Sequence, residues 1–366
     1  MGIFEAQFSA ITWQMIVMWG IGAALIYLAI KKDMEPTLLL PMGFGAILVN
    51  LPLSGATAVL DTLYRAGIAN ELFPLLLFIG IGAMIDFGPL LADPKLLLFG
   101  AAAQFGIFFT LSMASLLGFE LRDAASIAII GAADGPTSIF VANALGSRYT
   151  AAIIVAAYSY MALVPIVQPA CIRLVTTKRE RMIRMTYTPG QISHTTRILF
   201  PIVVTIIAGL VAPQSVALVG FLMFGNLLRE CGVLRALSEC AQNVLANLIS
   251  LLLGLTVAVR MQAESFLVPE TLMILALGLV AFVFDTFGGV FFAKLINLFA
   301  KKKINPMVGA AGISAFPMSS RVIAQMAKDE DPYNFILMQA AGANVAGQVA
   351  SVVAGGLILS MIAPLV

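Results

Sequence analysis

Asp134, in Gly131-Ala-Ala-Asp134-Gly135-Pro136-Thr137, is the residue whose type and setting most directly imply chemistry. An acid, a glycine and a proline interrupt an apolar run from Ala124 to Leu145, so a helix must break where the carboxylate sits. An acid at bilayer depth costs at least about 2.5–3.5 kcal/mol. Asn or Ser would cap a helix end without the charge, which favours ion binding over capping. Thr137, Ser138, Asn143 and the carbonyls freed by the break offer oxygen ligands, which suit a hard monovalent cation or a proton.

A second broken stretch opens at Asn305-Pro306, carries Ser314, Pro317, Ser319 and Ser320 near its tip, and is followed by Arg321. An arginine there either snorkels to the interface or holds an anionic group bidentately, and the apolar setting favours the second. Tyr160 and Asn344 lie in the apolar runs that follow the two broken stretches. Tyr160 reads as an interfacial tyrosine or a site residue. Asn344, between Gly342 and Gly347, reads as an unwound ion site or as one interhelical hydrogen bond among packing glycines. Asp285, a second acid inside an apolar run, is either a lesser ion ligand or a partner for Lys294. Three scattered cysteines and a single histidine argue against a disulfide frame or a Cys/His metal site. There is no P-loop, so energy must come from another subunit or a gradient.

These residues must be positioned by membrane helices. The chain is 60% hydrophobic and 11% charged, against roughly 25% charged in a soluble domain. Nothing in this charge balance points to nucleic acid. The first ten residues carry Glu5 and no lysine or arginine, so no cleaved signal peptide is expected. Apolar runs predict ten spans at 13–30, 37–52, 72–91, 95–118, 149–172, 198–211, 213–228, 240–259, 270–299 and 334–364. The broken segments 124–145 and 304–326 are either full crossings or re-entrant hairpins. With both re-entrant and the N-terminus outside, Lys31-Lys32, Lys95, the Arg173–Arg197 loop, Arg229 with Arg235, and Lys301–Lys303 all fall on the cytoplasmic side.

Gly43-Phe-Gly-Ala-Ile-Leu-Val-Asn50 resembles Gly220-Phe-Leu-Met-Phe-Gly-Asn226, and Ile130-Gly-Ala-Ala-Asp134 resembles Val308-Gly-Ala-Ala-Gly312, at offsets of 177 and 178 residues. The expected plan is therefore an all-α polytopic membrane protein with an inverted-repeat transporter-like fold. Residues 1–175 and 198–366 form the two repeats and 176–197 a basic cytoplasmic linker. The two hairpin tips would meet near the midplane.

The Asp134 motif, Gly225-Asn-Leu-Leu-Arg-Glu-Cys-Gly232, and Asn305-Pro-Met-Val-Gly309-Ala-Ala-Gly-Ile-Ser314-Ala-Phe-Pro-Met-Ser-Ser-Arg321 together resemble the beta subunit of sodium-pumping biotin-dependent decarboxylases. That resemblance, over nearly the whole chain, implies a subunit of a bacterial cytoplasmic membrane that decarboxylates carboxybiotin and exports Na+. The partners it implies are a carboxyltransferase alpha subunit, a biotin carrier protein and a small membrane subunit, in an oligomeric assembly. It implies that Asp134, Tyr160, Asn305, Gly309, Ser314 and Asn344 serve the sodium site, that Tyr160 takes part in proton movement, and that Arg321 holds carboxybiotin; sodium at the Tyr160 or Ser314 hydroxyl would lower its pKa and free the proton that decarboxylation needs. The competing class is a secondary Na+/H+ antiporter or Na+-coupled organic-anion symporter, which composition and topology alone do not separate from it.

Overall fold

The computed structural model describes residues 8–32, 35–52, 54–186 and 192–365. Glu5 and residues 187–191 of the expected linker lie outside the described residues. Among those described, every regular element is helical. Among the described residues six helices or helix runs are long and apolar enough to cross a membrane, and two bent pairs, each counted as one span, raise this to eight. Two of the ten expected spans are short helices here. Pro36–Val49 (α2) has 14 residues, about 21 Å at 1.5 Å per residue, and Val216–Glu230 (α11) has 15. Both are bounded by breakers: Pro36 and Asn50-Leu-Pro52 enclose α2, and Pro213 precedes α11.

The first helix is Trp13–Lys32 (α1). After α2, the amphipathic Ala56–Gly67 (α3), which hydropathy alone did not predict, meets Leu72–Met84 (α4) at 63°. Leu96–Ala102 (α5) and Phe105–Leu116 (α6) make one run with a break at Ala103-Gln104. Leu121–Ala128 (α7) and Gly135–Ala144 (α8) are the arms of the first hairpin. Thr150–Val175 (α9) bends by 70° between Ala152–Met161 and Leu163–Val175. Pro165 accounts for the bend, because its ring clashes with the carbonyl of Met161 and removes that carbonyl's donor.

The second half runs through His194–Val211 (α10), α11, and Arg235–Arg260 (α12), which contains a π turn at Ala241–Leu245. Pro269–Phe299 (α13) follows. Met307–Ala310 (α14) and Met318–Glu330 (α15) form the second hairpin, and Leu337–Ile362 (α16) closes the chain. α2 packs on α12 and α4 on α11; α9 packs on α13 and α16 on α5. Leu199, Ile202, Val203, Ile206, Ile207 and Leu210 of α10 are exposed and suit a lipid-facing surface.

Two buried asparagines pin helix ends. The Asn50 amide donates to Ala46 O and Met261 O and accepts from the Ala263 amide, all at 2.8 Å. The Asn226 amide donates to Ile85 O at 2.9 Å. Each asparagine ends or nears the end of its helix and reaches the last carbonyls of the helix packed against it.

Candidate functional site

The first hairpin narrows at its tip. After α7 the backbone tightens into a 3-10 turn, Ile129–Ala132, and Ala133 takes the left-handed region at φ 51°. Asp134 then caps α8, with Oδ1 accepting from the Thr137 amide at 3.4 Å. Its other oxygen does more. Oδ2 accepts from Thr137 Oγ1 at 2.6 Å, Ser351 Oγ at 2.9 Å and Gln348 Nε2 at 3.0 Å. All four donors are neutral, and Asp134 is 3% exposed. No cationic side chain pairs with Asp134 among the described residues, so when ionised it would lack a counter-charge, which is the electrostatic condition for a cation site.

The second tip meets the first. The Ser314 amide donates to Ala132 O at 3.1 Å, and Ser314 Oγ donates to Gly347 O at 3.0 Å. Asn344 Nδ2 donates to Ile313 O at 2.6 Å, while its Oδ1 is buried without a partner. α16 is continuous through Asn344, so this stretch is not unwound. Its glycines serve close packing: a Cβ at Gly347 would collide with Gly312 O on the second hairpin. One face of α16 thus presents Asn344 to the second tip, and Gln348 with Ser351 to Asp134.

The remaining expected residues lie elsewhere. Asn305 sits at the base of the second hairpin, where Nδ2 donates to Arg181 O at 2.8 Å and Ile183 O at 2.9 Å. Gly309 packs against α13, where a Cβ would collide with Gly289 O. The Tyr160 hydroxyl donates to Leu275 O on α13. Tyr158 instead packs against Gly135, with its buried hydroxyl unpartnered. Two residues along a helix are about 200° apart, so only one of these tyrosines faces the Asp134 side. Arg321 is exposed on α15 and makes no ion pair among the described residues. Asp285 does not pair with Lys294, which binds Glu180 at 3.0 Å. Asp285 accepts from the Gly106 amide at the start of α6, and its free Oδ2 faces Gly131.

A cavity of about 170 Å³ joins several of these groups. Asp134, Tyr158, Ser314 and Gln348 line it, together with Glu35, Thr37, Asn247 and Ser250. Glu35 is half-buried in the turn between α1 and α2. Burial pushes its carboxyl up from the usual carboxylate value, and the Arg321 guanidinium opposes that shift. Sequence reading missed Gln348, Ser351, Tyr158 and Glu35. The first two were accessible to it, since Asn344, Gln348 and Ser351 recur at helical spacing within one apolar run.

The family described as Na+-transporting oxaloacetate decarboxylase beta subunit matches residues 14–362. The chain is 47% identical over 362 residues to the glutaconyl-CoA decarboxylase subunit beta of Acidaminococcus fermentans, covering 98% of this chain and 96% of that one. It is 47% identical to the methylmalonyl-CoA decarboxylase subunit beta of Veillonella parvula, covering 98% and 96%. It is 41% identical to a probable oxaloacetate decarboxylase beta chain of Vibrio cholerae, covering 99% and 97%. A buried acid held by neutral donors between two hairpin tips, in a polytopic helical chain, accords with that description. The chain belongs to the family of Na+-transporting oxaloacetate decarboxylase beta subunits.

Proposed function

We propose that this chain is the membrane subunit that decarboxylates carboxybiotin delivered by partner subunits and uses the free energy released to export Na+ across a bacterial cytoplasmic membrane. The observation that carries the reading is the Asp134 carboxylate, buried and held by four neutral donors beside the second hairpin tip. Asp134 would hold Na+ as cargo, with Ser314, Asn344 and the tip carbonyls as further oxygens near it. Arg321 would receive the carboxylate of the substrate. Asn305 and Gly309 would act through the seating of the second hairpin, and Tyr160 through its hold on α13. Moving one charge against a membrane potential costs about 2.3 kcal/mol per 100 mV, which decarboxylation must exceed. Family membership favours this reading over a secondary antiporter or symporter.

The paired packing supports an inverted repeat of residues 1–175 and 198–366, with the basic segment 176–197 between them. α2 on α12 answers α11 on α4, α9 on α13 answers α16 on α5, and the Asn50–Met261 bond answers Asn226–Ile85. In this reading the short helices complete ten crossings and both hairpins are re-entrant. The carboxyltransferase alpha subunit, biotin carrier and small membrane subunit remain the expected partners in an oligomeric complex. The higher identity to acyl-CoA relatives favours a CoA thioester as the parent substrate class.

Carbon dioxide release from free carboxybiotin by the chain in liposomes, with and without sodium, tests the function. Sodium-stimulated release is expected from wild type and lost in Asp134→Asn. Sodium-dependent uptake of an organic anion without any release overturns the reading.

A further inference from the structure

We propose that Glu35 is the general acid of this reaction, passing its proton to the ureido nitrogen as carbon dioxide leaves. The proposal rests on the carboxybiotin reading. Loss of carbon dioxide from an N-carboxylated urea breaks the nitrogen–carbon bond and leaves the electron pair on nitrogen, which must gain a proton. The donor has to face the same space as the cation holding the carboxylate, and has to be recharged from water. Glu35 shares a cavity with Pro317, whose carbonyl accepts from the Arg321 backbone amide one turn along α15. It lines the cavity shared by Asp134, Ser314 and Gln348, and it is half-buried where Asp134 and Tyr158 are buried, so it marks the accessible side. The Arg321 guanidinium acts on it electrostatically.

The hydroxyls implied by the resemblance are engaged. Tyr160 donates to Leu275 O and Ser314 to Gly347 O. The Glu35 carboxyl makes no hydrogen bond among the described residues. Its backbone lies in the left-handed region, at φ 38° and ψ 60°, directly before Pro36. Both the Cβ and the following proline disfavour that conformation, and such strain persists where the surrounding structure fixes a group in place. The burial that disfavours its charged form keeps the proton available for transfer.

The charges also balance through the step. Before cleavage Arg321 faces the substrate carboxylate and a neutral Glu35. Afterwards carbon dioxide is neutral and Glu35 carries the negative charge, so Arg321 exchanges one anion for another. Among the described residues, the other charged or titratable groups facing Glu35 are Arg321 on α15, Asp134 at the first tip and Tyr158 on α9. The walls supplied by α2, α4, α12 and α16 present Thr37, Leu77, Ile81, Met84, Asn247, Ser250 and Gln348, none of which titrates.

The test uses the full chain assembled with its partner subunits in liposomes, free carboxybiotin as probe and saturating sodium, for wild type, Glu35→Gln and Glu35→Asp. In Glu35→Gln kcat should fall about 100-fold or more. KM for carboxybiotin and half-saturating sodium should stay within about twofold, since neither ligand's charge partner has changed. The alkaline fall of the wild-type pH profile should disappear from Glu35→Gln, and Glu35→Asp should recover part of kcat together with that fall. A Gln variant that keeps kcat and its alkaline fall overturns the proposal, as does a loss confined to KM or to sodium half-saturation. If the Gln variant does not assemble, Glu35→Asp decides: a displaced alkaline fall supports the proposal and an unmoved one overturns it. Wild type that releases no sodium-dependent carbon dioxide overturns the decarboxylase reading and this proposal with it. Active wild type beside an indifferent Gln variant overturns this proposal alone.

Discussion

The two hairpins differ in where they place charge. The first carries Asp134 at its tip, bound by donors from its own arm and from α16. The second has an uncharged tip, and its ion pairs gather at its base. There Arg181 pairs with Glu330 at 2.7 Å, with side chains only 12% and 15% exposed, and Arg184 pairs with Asp331 at 2.6 Å. Asn305 and Asn334 both donate to Arg181 O, so the segment after α9 is fastened to both ends of the second hairpin. The first hairpin therefore has its demanding group where an ion would sit, and the second has its firmest attachments where the linker arrives. Ligand chemistry and anchoring are divided between two elements of similar shape.

The largest effect should come from the first tip. Asp134→Asn keeps the shape and removes the charge, and should reduce sodium-stimulated carbon dioxide release at least 100-fold, or about 2.7 kcal/mol at 1.36 kcal/mol per tenfold. Gln348→Leu removes one donor and keeps the acid. Half-saturating sodium should change by about tenfold there, with the unfolding midpoint little affected, given a hydrogen bond to charge worth about 1.5–3 kcal/mol. The matching change at the second hairpin is Gln168→Leu, which removes bonds to Ala310 O and Ser319 Oγ. That variant should be less stable by about 1–3 kcal/mol in detergent unfolding, with half-saturating sodium unchanged. If Gln168→Leu moves sodium affinity and Gln348→Leu does not, the division between the hairpins is wrong.

Asn305→Ala addresses the base. It strips a donor from Arg181 O and Ile183 O, and the expected result is a stability loss of about 1–3 kcal/mol with faster hydrogen exchange at residues 178–186. Acid should loosen the same place. The Arg184 hydrogen bond holds the Asp331 carboxyl below its usual value. A depressed carboxylate contributes fully above its unfolded value and loses that contribution as pH falls through the folded one. Exchange at residues 182–186, corrected for intrinsic rates, should therefore rise as pH drops below about 4, and Asp331→Asn should show the fast rate already at neutral pH.

How far these differences are legible in the sequence varies by residue. Asp134 stands out because an acid, a glycine and a proline in one apolar run break a helix and bury a charge at the same point. The meeting of the tips is also expected, and the Ser314 to Ala132 bond reports it. Gln348 and Ser351 escape a reading of length and hydropathy, which finds one asparagine in the last apolar run and not a polar face at i, i+4 and i+7. Tyr158 and Tyr160 are not separable in sequence, since helical rotation decides which ring faces the site and sequence does not fix that rotation. The resemblance casts Asn305 as a sodium-site residue, and its bonds to the linker carbonyls of Arg181 and Ile183 are announced by no sequence pattern. Glu35 falls between two apolar runs, where a charge is ordinary, and no sequence pattern marks it as part of the cavity wall.

The smallest effect should lie at the open end of the first hairpin. Arg148 pairs with Glu120 there, with side chains 63% and 51% exposed. Exposed pairs contribute about 0–1 kcal/mol and are screened by salt. Asp123 is different: it is 1% exposed and accepts from Ser147 Oγ at 2.7 Å and the Arg148 amide at 3.1 Å, closing the turn between α8 and α9. Glu120→Gln should thus shift unfolding by less than about 0.5 kcal/mol at physiological salt, while Asp123→Ala, which removes the acceptor of the Ser147 hydroxyl and the Arg148 amide, should cost about 1–3 kcal/mol. Neither should alter half-saturating sodium. If Asp123→Ala weakened sodium binding as strongly as Gln348→Leu, the outer clasp would be part of the ion site, and the first hairpin would respond as one rigid unit from tip to base.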